Sequence, residues 1–408
     1  FSSRRRHTRL LTVTGVQTCA LPISSAVDAE VWINELRLSE LDERGAWAAL
    51  GRMDLIMADL GTLSVSVNKR TAGFGSVEQK MNERSKTGLT QFDVATNIDA
   101  GKLLPKEVKI SLPVFASINR TIETPMFDPF DKDVLYADKV KNTKDAIKRD
   151  SIISAAADQT TIKTINFTNV RVLPGKKSTM LSISNFDFSY SYSQLQQTSP
   201  LVELNQLTKQ RGAIGYTFNN RVKSIEPFKN ALKNSSVWWA WLRDFNVTPA
   251  PSLISYRTAL DRQYGEFTPR VVGSDGSIDK AETTFDKYFI MNRIFNMRWP
   301  FTRSLNLDAT VNINSRIDEP NGKLDTQAKK DSLTRMLLRA GRNTLYNQRV
   351  SLRYDIPTSK FPLTDWILSS YNVSANYNWI GASRLAEDLG NTIENTLDRK
   401  STRLNSSH

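Results

Sequence analysis

Cysteine and histidine are almost absent from this 408-residue sequence. The single cysteine is Cys19 and the two histidines are His7 and His408, so residues 25–398 contain neither residue type. A thiol nucleophile, a Ser-His-Asp triad and a conventional zinc site each need at least one of them. No pair of carboxylates stands out as a substitute. We therefore expect a protein that is not an enzyme and that binds no metal or other cofactor.

Acidic residues are absent from residues 1–24, which read FSSRRRHTRLLTVTGVQTCALPIS. The string begins like a signal peptide, but threonine and glutamine interrupt the apolar run that such a peptide needs. It resembles translated sequencing-adapter sequence, and so does RKSTRLNSSH at residues 399–408. We therefore expect both ends to be adapter-derived artefacts and exclude them from the interpretation of the fold.

Excess positive charge is concentrated in those two ends. The formal charge is +13, but seven of the 55 basic residues and none of the 42 acidic residues lie in the ends. Residues 25–398 therefore have a charge of only +6, from 48 basic and 42 acidic residues. A strongly basic domain suggests a nucleic-acid partner. Because this balance is nearly even and the basic residues are scattered, we expect no nucleic-acid partner.

Long apolar runs are also lacking, and no segment approaches the ~18 consecutive apolar residues of a membrane-spanning helix. Instead, apolar and small polar residues alternate, which predicts strands with one apolar and one polar face. We expect about a dozen such strands, many of them ~9–11 residues long, the length of a tilted membrane-spanning strand. The alternation is clearest in 305–314 and 371–379, and it recurs with interruptions in 47–58, 63–68, 92–98, 108–118, 162–172, 181–192, 214–218, 285–299 and 349–356.

The two faces of the clearest strands carry the candidate functional residues. In a barrel, the polar face would line a hydrated lumen, and it comprises Asn306, Asp308, Thr310, Asn312, Asn314, Asn372, Ser374, Asn376 and Asn378. The apolar face would meet lipid, and it comprises Leu305, Leu307, Val311, Ile313, Tyr371, Val373, Tyr377 and Trp379. A polar wall of this kind would offer passing cargo few apolar patches to bind.

Alternation alone fits both a membrane barrel and a soluble β-sandwich, because either lipid or a second sheet can cover the apolar face. Long strands, polar faces rich in Asn, Ser, Thr and Asp, and aromatic residues near strand ends favour the barrel. Partly helical loop insertions near residues 124–160 and 316–344 suit one side of such a barrel. The predicted fold is all-β, an antiparallel transmembrane β-barrel segment that forms an open arc of a very large barrel.

Three features interrupt the pattern. Residues 181–192 change phase, which predicts a β-bulge near Ser184 and Asn185. Arg293 is an irregularity inside the alternating segment 285–299. A tryptophan cluster without alternation suits an anchor at a membrane interface, and it comprises Trp238, Trp239 and Trp241.

Several stretches carry a family resemblance. They are VWINELRLSELDERGAWAALGRMDLIMADLGTLSVS (Val31–Ser66), GFGSVEQKMNERSKTG (Gly73–Gly88), FDPFDKDVL (Phe127–Leu135) and NFTNVRV (Asn166–Val172). Together they resemble the SprA family, called Sov in some relatives. The resemblance runs in patches through most of residues 25–398. Because full chains of that family are far longer, we expect this sequence to be an internal fragment.

The resemblance implies a part of the outer-membrane protein-conducting channel of the type IX secretion system of Bacteroidota, which supports gliding motility. Folded cargo with C-terminal sorting signals would cross it to the cell surface. The implied partners are secreted protein cargo, a smaller outer-membrane barrel protein that captures cargo, a periplasmic plug protein and outer-membrane lipid. Residues 25–45 would form a junction strand or the end of a preceding β-module, and residues 46–398 would form the barrel segment.

Two alternatives stay open at this point. One is another outer-membrane barrel, of the porin or TonB-dependent receptor type, and the other is a soluble cell-surface β-sandwich adhesin. An open arc of strands would also leave two unpaired edges, which lipid cannot satisfy. We therefore expect that the chain alone does not form a stable pore.

Overall fold

The structure, a computed structural model, describes residues 45–405 apart from 81, 82, 106, 175–178, 221, 222, 234, 235, 274–277, 361–363 and 365. The chain separates into two units, Phe1–Gly45 and Ala46–His408. Apart from Gly45, the predicted junction at 25–45 lies outside the described residues. So does the predicted artefact at 1–24.

One antiparallel sheet accounts for the second unit. Its strands are β1 (Ala48–Met57), β2 (Gly61–Arg70), β3 (Thr87–Asp99), β4 (Ile110–Ser111), β5 (Pro113–Pro125), β6 (Asp158–Val172), β7 (Phe186–Ser199), β8 (Val202–Asn219), β9 (Leu253–Val272), β10 (Ile278–Lys280), β11 (Thr284–Pro300), β12 (Leu305–Arg316), β13 (Arg342–Ile356), β14 (Ile367–Ile380) and β15 (Thr392–Asn405). Thirteen of them follow one another as neighbours, and the short β4 and β10 pair with β6 and β9. The described residues thus form a single sheet, without the second stacked sheet that the sandwich alternative requires.

Four helices lie in the connections: α1 (Tyr136–Asn142), α2 (Ala146–Ala156), α3 (Ala240–Arg243) and α4 (Gln327–Leu338). The β5–β6 and β12–β13 connections, which carry α1, α2 and α4, leave the sheet at the same edge because the strands are antiparallel. We call this the helical edge. The β8–β9 connection, with α3 and the tryptophan cluster, leaves at the opposite edge, which we call the tryptophan edge. Among the described residues, no helix has the length and apolar character needed to cross a membrane. The predicted all-β antiparallel fold with partly helical insertions is confirmed.

The interior core of the described residues is small and lies at the helical edge. It consists of Phe289, Met291 and Ile317, and α4 packs against them through Leu333 and Met336. Strands β8, β9 and β11 are the longest, at 18, 20 and 17 residues. At this edge β11 continues past β12, and β9 continues past β11. They provide the platform on which the β12–β13 insertion folds.

The predicted β-bulge near Ser184 and Asn185 is wrong, because this segment is not strand. Residues Ile183–Asn185 form a 3-10 turn, and β7 begins at Phe186. The Asn185 amide donates to the backbone carbonyls of Thr179 and Met180 at 2.9 and 3.0 Å. Such side-chain bonds to the backbone compete with strand pairing, so the turn ends where the aromatic run begins.

The bulge lies instead on the neighbouring strand β6, inside the stretch Asn166–Val172. The pairing of β6 with β7 shifts between Phe167 and Val170. Asn169 takes a positive φ of 53° there, a conformation that Asn tolerates better than most residues. Its backbone N–H donates to the Ser189 hydroxyl at 3.0 Å. The shift brings Val170 opposite Phe188, on the apolar side of the sheet.

Candidate functional site: the two faces of the sheet

The strand register brings each predicted set of residues onto one face. In an antiparallel pair, residues directly opposite each other share a face. Asn306 lies opposite Arg353, which lies opposite Asn372. Leu307 lies opposite Leu352, which lies opposite Val373. All nine predicted lumen-facing residues therefore lie on one face, and all eight predicted lipid-facing residues on the other. Which face meets lipid stays a prediction at this point.

The apolar face continues across the whole sheet. Each long strand from β1 to β14 places an aliphatic or aromatic side chain on this face. The sequence of residues, one for each strand, is Met53, Val65, Val94, Ile118, Ile165, Tyr190, Ile214, Tyr256, Phe295, Val311, Leu352 and Val373. Nothing in the described residues covers most of it, so Met53 and Ile214 are 55% and 56% exposed. So extensive an uncovered apolar surface marks an interaction surface.

Aromatic residues flank the aliphatic part of this face at both edges. On β13 and β14, Tyr346 and Trp379 are opposite each other toward the helical edge, and Tyr354 and Tyr371 toward the tryptophan edge. Tyr346 and Tyr354 are about 27 Å apart along the strand at ~3.4 Å per residue. With the strands tilted, this matches the ~25 Å apolar band between two aromatic girdles of an outer-membrane barrel.

The apolar band crosses the strand register obliquely. One line of opposite residues runs from β7 to β2 through Tyr190, Phe167, Val114, Ile98 and Gly61. On β7 this line lies in the middle of the aromatic run. On β2 it reaches Gly61, the first residue of the strand, which is four residues away from the band centre at Val65. A shift of about four residues over four strands, at ~3.4 Å per residue and ~4.8 Å per strand, corresponds to a tilt of about 35°. Membrane barrels tilt their strands by ~35–45°.

The polar face is knit together by cross-strand hydrogen bonds. Ser351 donates to Asn372 at 3.1 Å, and the Arg298 Nε donates to Asp308 at 2.9 Å. The Arg211 Nε lies 3.1 Å from Asp261. On the described strands, the carboxylates between the girdles all lie on this face, for instance Asp54, Asp93, Asp187, Asp261 and Asp308. The face is therefore charged, and many of its charges are paired.

Ser374 departs from the exposure expected of a lumen-facing residue. It lies on the polar face, yet only 4% of it is exposed. The reason is its size, because this short side chain sits in the register between Ser351 and Asp398. It contributes to the packing of the wall and not to its outermost surface.

The alternation ends within β15. Ile393 and Leu397 lie on the apolar face, but the next residues on that face are Arg399 and Ser401. The loss of alternation coincides with the start of the predicted artefact at 399–408. That assignment stays a prediction.

At the tryptophan edge, the β8–β9 connection is tied to its neighbours by charge. Asp244 pairs with Lys360 of the β13–β14 connection and with Arg243, whose Nε lies 3.1 Å away. Hydrogen bonds from Lys360 and then Arg243 hold the pKa of the Asp244 carboxyl below its ordinary value. The indole of Trp299 donates to the Thr248 carbonyl at 3.0 Å. The connection therefore contacts the end of β11 on the apolar side.

The tryptophan cluster on this connection is exposed, as an interfacial anchor requires. Trp238, Trp239 and Trp241 are 57%, 51% and 44% exposed. Tryptophan is enriched at membrane–water interfaces, and the cluster lies at the same edge as the girdle that contains Tyr354 and Tyr371. No group of three or more potential metal ligands occurs among the described residues.

Comparison with known proteins bears on residues 12–140, which match the SprA_N family model, described as motility related/secretion protein. This match supports membership of the SprA family. The match supports a role in motility or secretion, and within the described residues it covers β1 to β5 and most of α1. The residues of β12 and β14 lie beyond it. No curated protein sequence matches the chain.

Among solved structures, the chain is similar to the ferric-catecholate import receptor Fiu from E. coli K12 in its open form, with 8% identity and a TM-score of 0.25. The alignment covers 87% of this chain and 60% of the receptor. The chain thus spans less than two thirds of the receptor's length. A likeness this distant carries no further argument.

One stretch of the SprA match has a built local structure that the sequence did not reveal. In Phe127–Leu135, Phe127 bridges Leu135, and the Asp128 side chain is 1% exposed. Its carboxylate accepts the Phe130 N–H at 2.9 Å and contacts the Lys139 ammonium of α1. Burial and then the nearby Asp128 charge raise the pKa of Tyr136. Asp128 fixes the start of the β5–β6 insertion.

Proposed function

We propose that this chain forms part of the wall of the outer-membrane protein-conducting channel of the type IX secretion system. The carrying observation is the continuous two-faced sheet, with one uncovered apolar face between aromatic girdles and one polar face. The family match supports the assignment to secretion. In this proposal lipid covers the apolar face and the polar face lines the lumen.

The polar face suits the passage of folded cargo proteins with C-terminal sorting signals. Its side chains are short amides, hydroxyls and paired charges, which give passing cargo hydrated contacts and few apolar ones. Transport along such a wall is passive conduction, without catalysis, and its gating belongs to partners. The proposed partners are the cargo itself, a smaller cargo-capturing barrel protein of the outer membrane and a periplasmic plug protein.

Site-specific photo-cross-linking in cells tests this proposal. A photoreactive residue is placed at Thr310 on the polar face or at Val350 on the apolar face of the full-length protein. The two positions lie on neighbouring strands at the same height of the sheet. We expect cross-links to sorting-signal cargo from Thr310 and to lipid from Val350.

A control for entry of the cargo makes the result decisive. For each variant the control is cargo that lacks its sorting signal, because such cargo cannot enter the channel productively while the wall itself is unchanged. Cross-linking of cargo at Val350 but not at Thr310 would reverse the assignment of the faces. If neither position yields cargo while secretion continues, this wall does not line the conducting path.

A further inference from the structure

On strands β1 to β14, four long basic side chains interrupt the apolar face within four residues of its centre, all toward the helical edge. They are Lys69 on β2, Arg120 on β5, Lys163 on β6 and Arg293 on β11, and we call them the cationic belt. Each lies two to four residues from the centre of the apolar band on its own strand, on the helical-edge side. On β11 the belt is level with the girdle, because Arg293 lies opposite Ile313, which lies opposite Tyr346. The described part of β1–β14 has no equivalent at the tryptophan edge.

Within the described residues, no carboxylate pairs with the belt. Arg120 reaches only the neutral Gln159 amide at 3.5 Å, and Lys69 lies 5.5 Å from the Trp47 ring centroid. The Arg293 guanidinium donates to Ser315 and Asn343 at 2.8 and 2.7 Å, both neutral, and its buried Nε has no partner. These cations sit on an apolar surface without the anion that would neutralise them.

The strongest concentration is at β5 and β6. Arg120 lies opposite Thr161, and Lys163 lies opposite Ile118. The two cations are therefore diagonal neighbours on the same face, about 7–8 Å apart between backbones. Two cations this close repel each other, and an anion that contacts both would offset the repulsion.

The same edge also shows how the chain neutralises such cations when it supplies its own anions. On β9, which extends beyond the belt, Arg262 pairs with Glu319 of the β12–β13 insertion at 2.5 Å. Lys323 of that insertion pairs with Glu266 at 2.5 Å. Beyond the apolar band at the helical edge, the protein itself supplies the carboxylates that pair with these cations. At the height of the belt, the described residues supply none.

From this contrast we propose that the cationic belt binds the phosphate groups of anionic lipid head groups, in the leaflet at the helical edge. The proposal rests on the proposed function, because it requires lipid against the apolar face. Long basic side chains at the end of an apolar band keep their stems on the acyl chains and their charges at the head groups. The belt would thus select anionic phospholipid and set the depth and orientation of the wall in the bilayer.

Lipid selection by the purified full-length protein tests the proposal. The protein is incubated with spin-labelled phosphatidylglycerol or phosphatidylcholine, and the bound fraction of each is measured. A triple substitution, Lys69→Gln with Arg120→Gln and Lys163→Gln, neutralises most of the belt. The matched control neutralises three cations of the polar face: Lys209→Gln, Arg349→Gln and Arg171→Gln. Each basic residue near anionic lipid contributes about fivefold to binding, so we expect a loss of phosphatidylglycerol preference of up to roughly 100-fold in the belt variant alone.

Each outcome supports or overturns the proposal. Equal preference in the wild type and the belt variant overturns it, and so does an equal loss in the control variant. If millimolar inorganic phosphate binds at the belt while phosphatidylglycerol is not enriched, the site takes free phosphate and the lipid assignment fails. Val350→Arg tests the apolar face separately. If this substitution at the band centre is tolerated, the proposed function fails. If it is harmful while the belt variant keeps its preference for phosphatidylglycerol, only the belt proposal fails.

Discussion

An arginine at the centre of the apolar band is the sharpest perturbation that the structure offers. Val350 lies opposite Ala309 on one side and Ala375 on the other, and is four residues from both Tyr346 and Tyr354. It is thus the position on β13 farthest from either interface. Val350→Arg places a guanidinium about 11 Å, measured vertically, from the nearer girdle at ~3.4 Å per residue and a tilt of about 35°. Its charge reaches water only by stretching along most of that distance.

The expected cost follows from this depth. Arginine on the lipid face of a barrel costs ~2–4 kcal/mol at the bilayer midplane and ~0–1 kcal/mol near an interface. We therefore expect Val350→Arg to lower the free energy of unfolding by about 2–4 kcal/mol. Ile356→Arg, on the same face at the last residue of β13, should cost about 0–1 kcal/mol. Thr310→Arg, exposed on the polar face, meets only the like charge of Arg349 opposite it, for ~1 kcal/mol at most.

The assay is denaturant unfolding of the full-length protein in lipid vesicles, with heat-resistant migration of the folded barrel as the signal. A difference of 2–4 kcal/mol changes the folded-to-unfolded ratio by roughly 30- to 1000-fold. Lipid on the apolar face predicts the largest loss of stability for Val350→Arg and a smaller loss for Ile356→Arg. Thr310→Arg should then cost no more than Ile356→Arg. Equal tolerance of Val350→Arg and Thr310→Arg would refute the reasoning, and greater harm from Thr310→Arg would reverse the faces.

Three further predictions concern single sites. Asp128→Ala removes a buried, charge-assisted network and should destabilise the β5–β6 insertion by about 2–3 kcal/mol, seen as faster protease cleavage there with the sheet intact. Gly61→Ala should destabilise the β1–β2 turn by about 1–3 kcal/mol, because the φ of Gly61 is +156° and a Cβ would lie 2.0 Å from a backbone carbonyl oxygen. Gly51→Ala, with open space around the residue, should be nearly neutral in the same unfolding assay. The pKa of Asp244 is lowered, so its ion pair with Lys360 should persist above the ordinary Asp value of 3.8 and be lost only as pH falls through the depressed pKa. Hydrogen exchange of the β8–β9 connection should rise in that pH range. A Lys360→Gln variant should shift the rise to higher pH.

The faces of the sheet could be predicted from the sequence because side-chain direction in a strand has a period of two. That regularity was enough to separate the nine polar and eight apolar candidate residues of β12 and β14 onto two faces, while the assignment of those faces to lumen and lipid stays a prediction. It could not locate the bulge, since both 181–185 and Phe167–Val170 break the alternation. The choice between them depends on which polar side chains bond the local backbone, and Asn185 and Asn169 do so in different ways.

The cationic belt and the buried Asp128 could not be predicted for a different reason. A lone Arg120 or Lys163 in an alternating strand looks like an ordinary solvent-facing charge. Only the register shows that both lie on the apolar face, at adjacent diagonal positions. Asp128 likewise becomes special only when the turn folds around it and α1 brings Lys139 to it. The belt depends on how the strands pair, and the burial of Asp128 depends on a contact with a helix that follows the turn.

The balance of forces in this sheet also argues for a lipid environment. A soluble domain is stabilised chiefly by apolar side chains buried inside it. Here, among the described residues, only Ala156, Ala157, Ala240, Phe289, Met291 and Ile317 are buried hydrophobic residues. The apolar face is far larger than this core, and no second layer covers it within the part of the chain that the structure describes. Backbone pairing alone adds little net free energy in water, because the unfolded chain forms the same bonds with solvent. In a bilayer an unpaired backbone group costs several kcal/mol, so the same ladder of paired strands becomes a strong stabilising force. The sheet is therefore expected to fold stably only where lipid meets the apolar face.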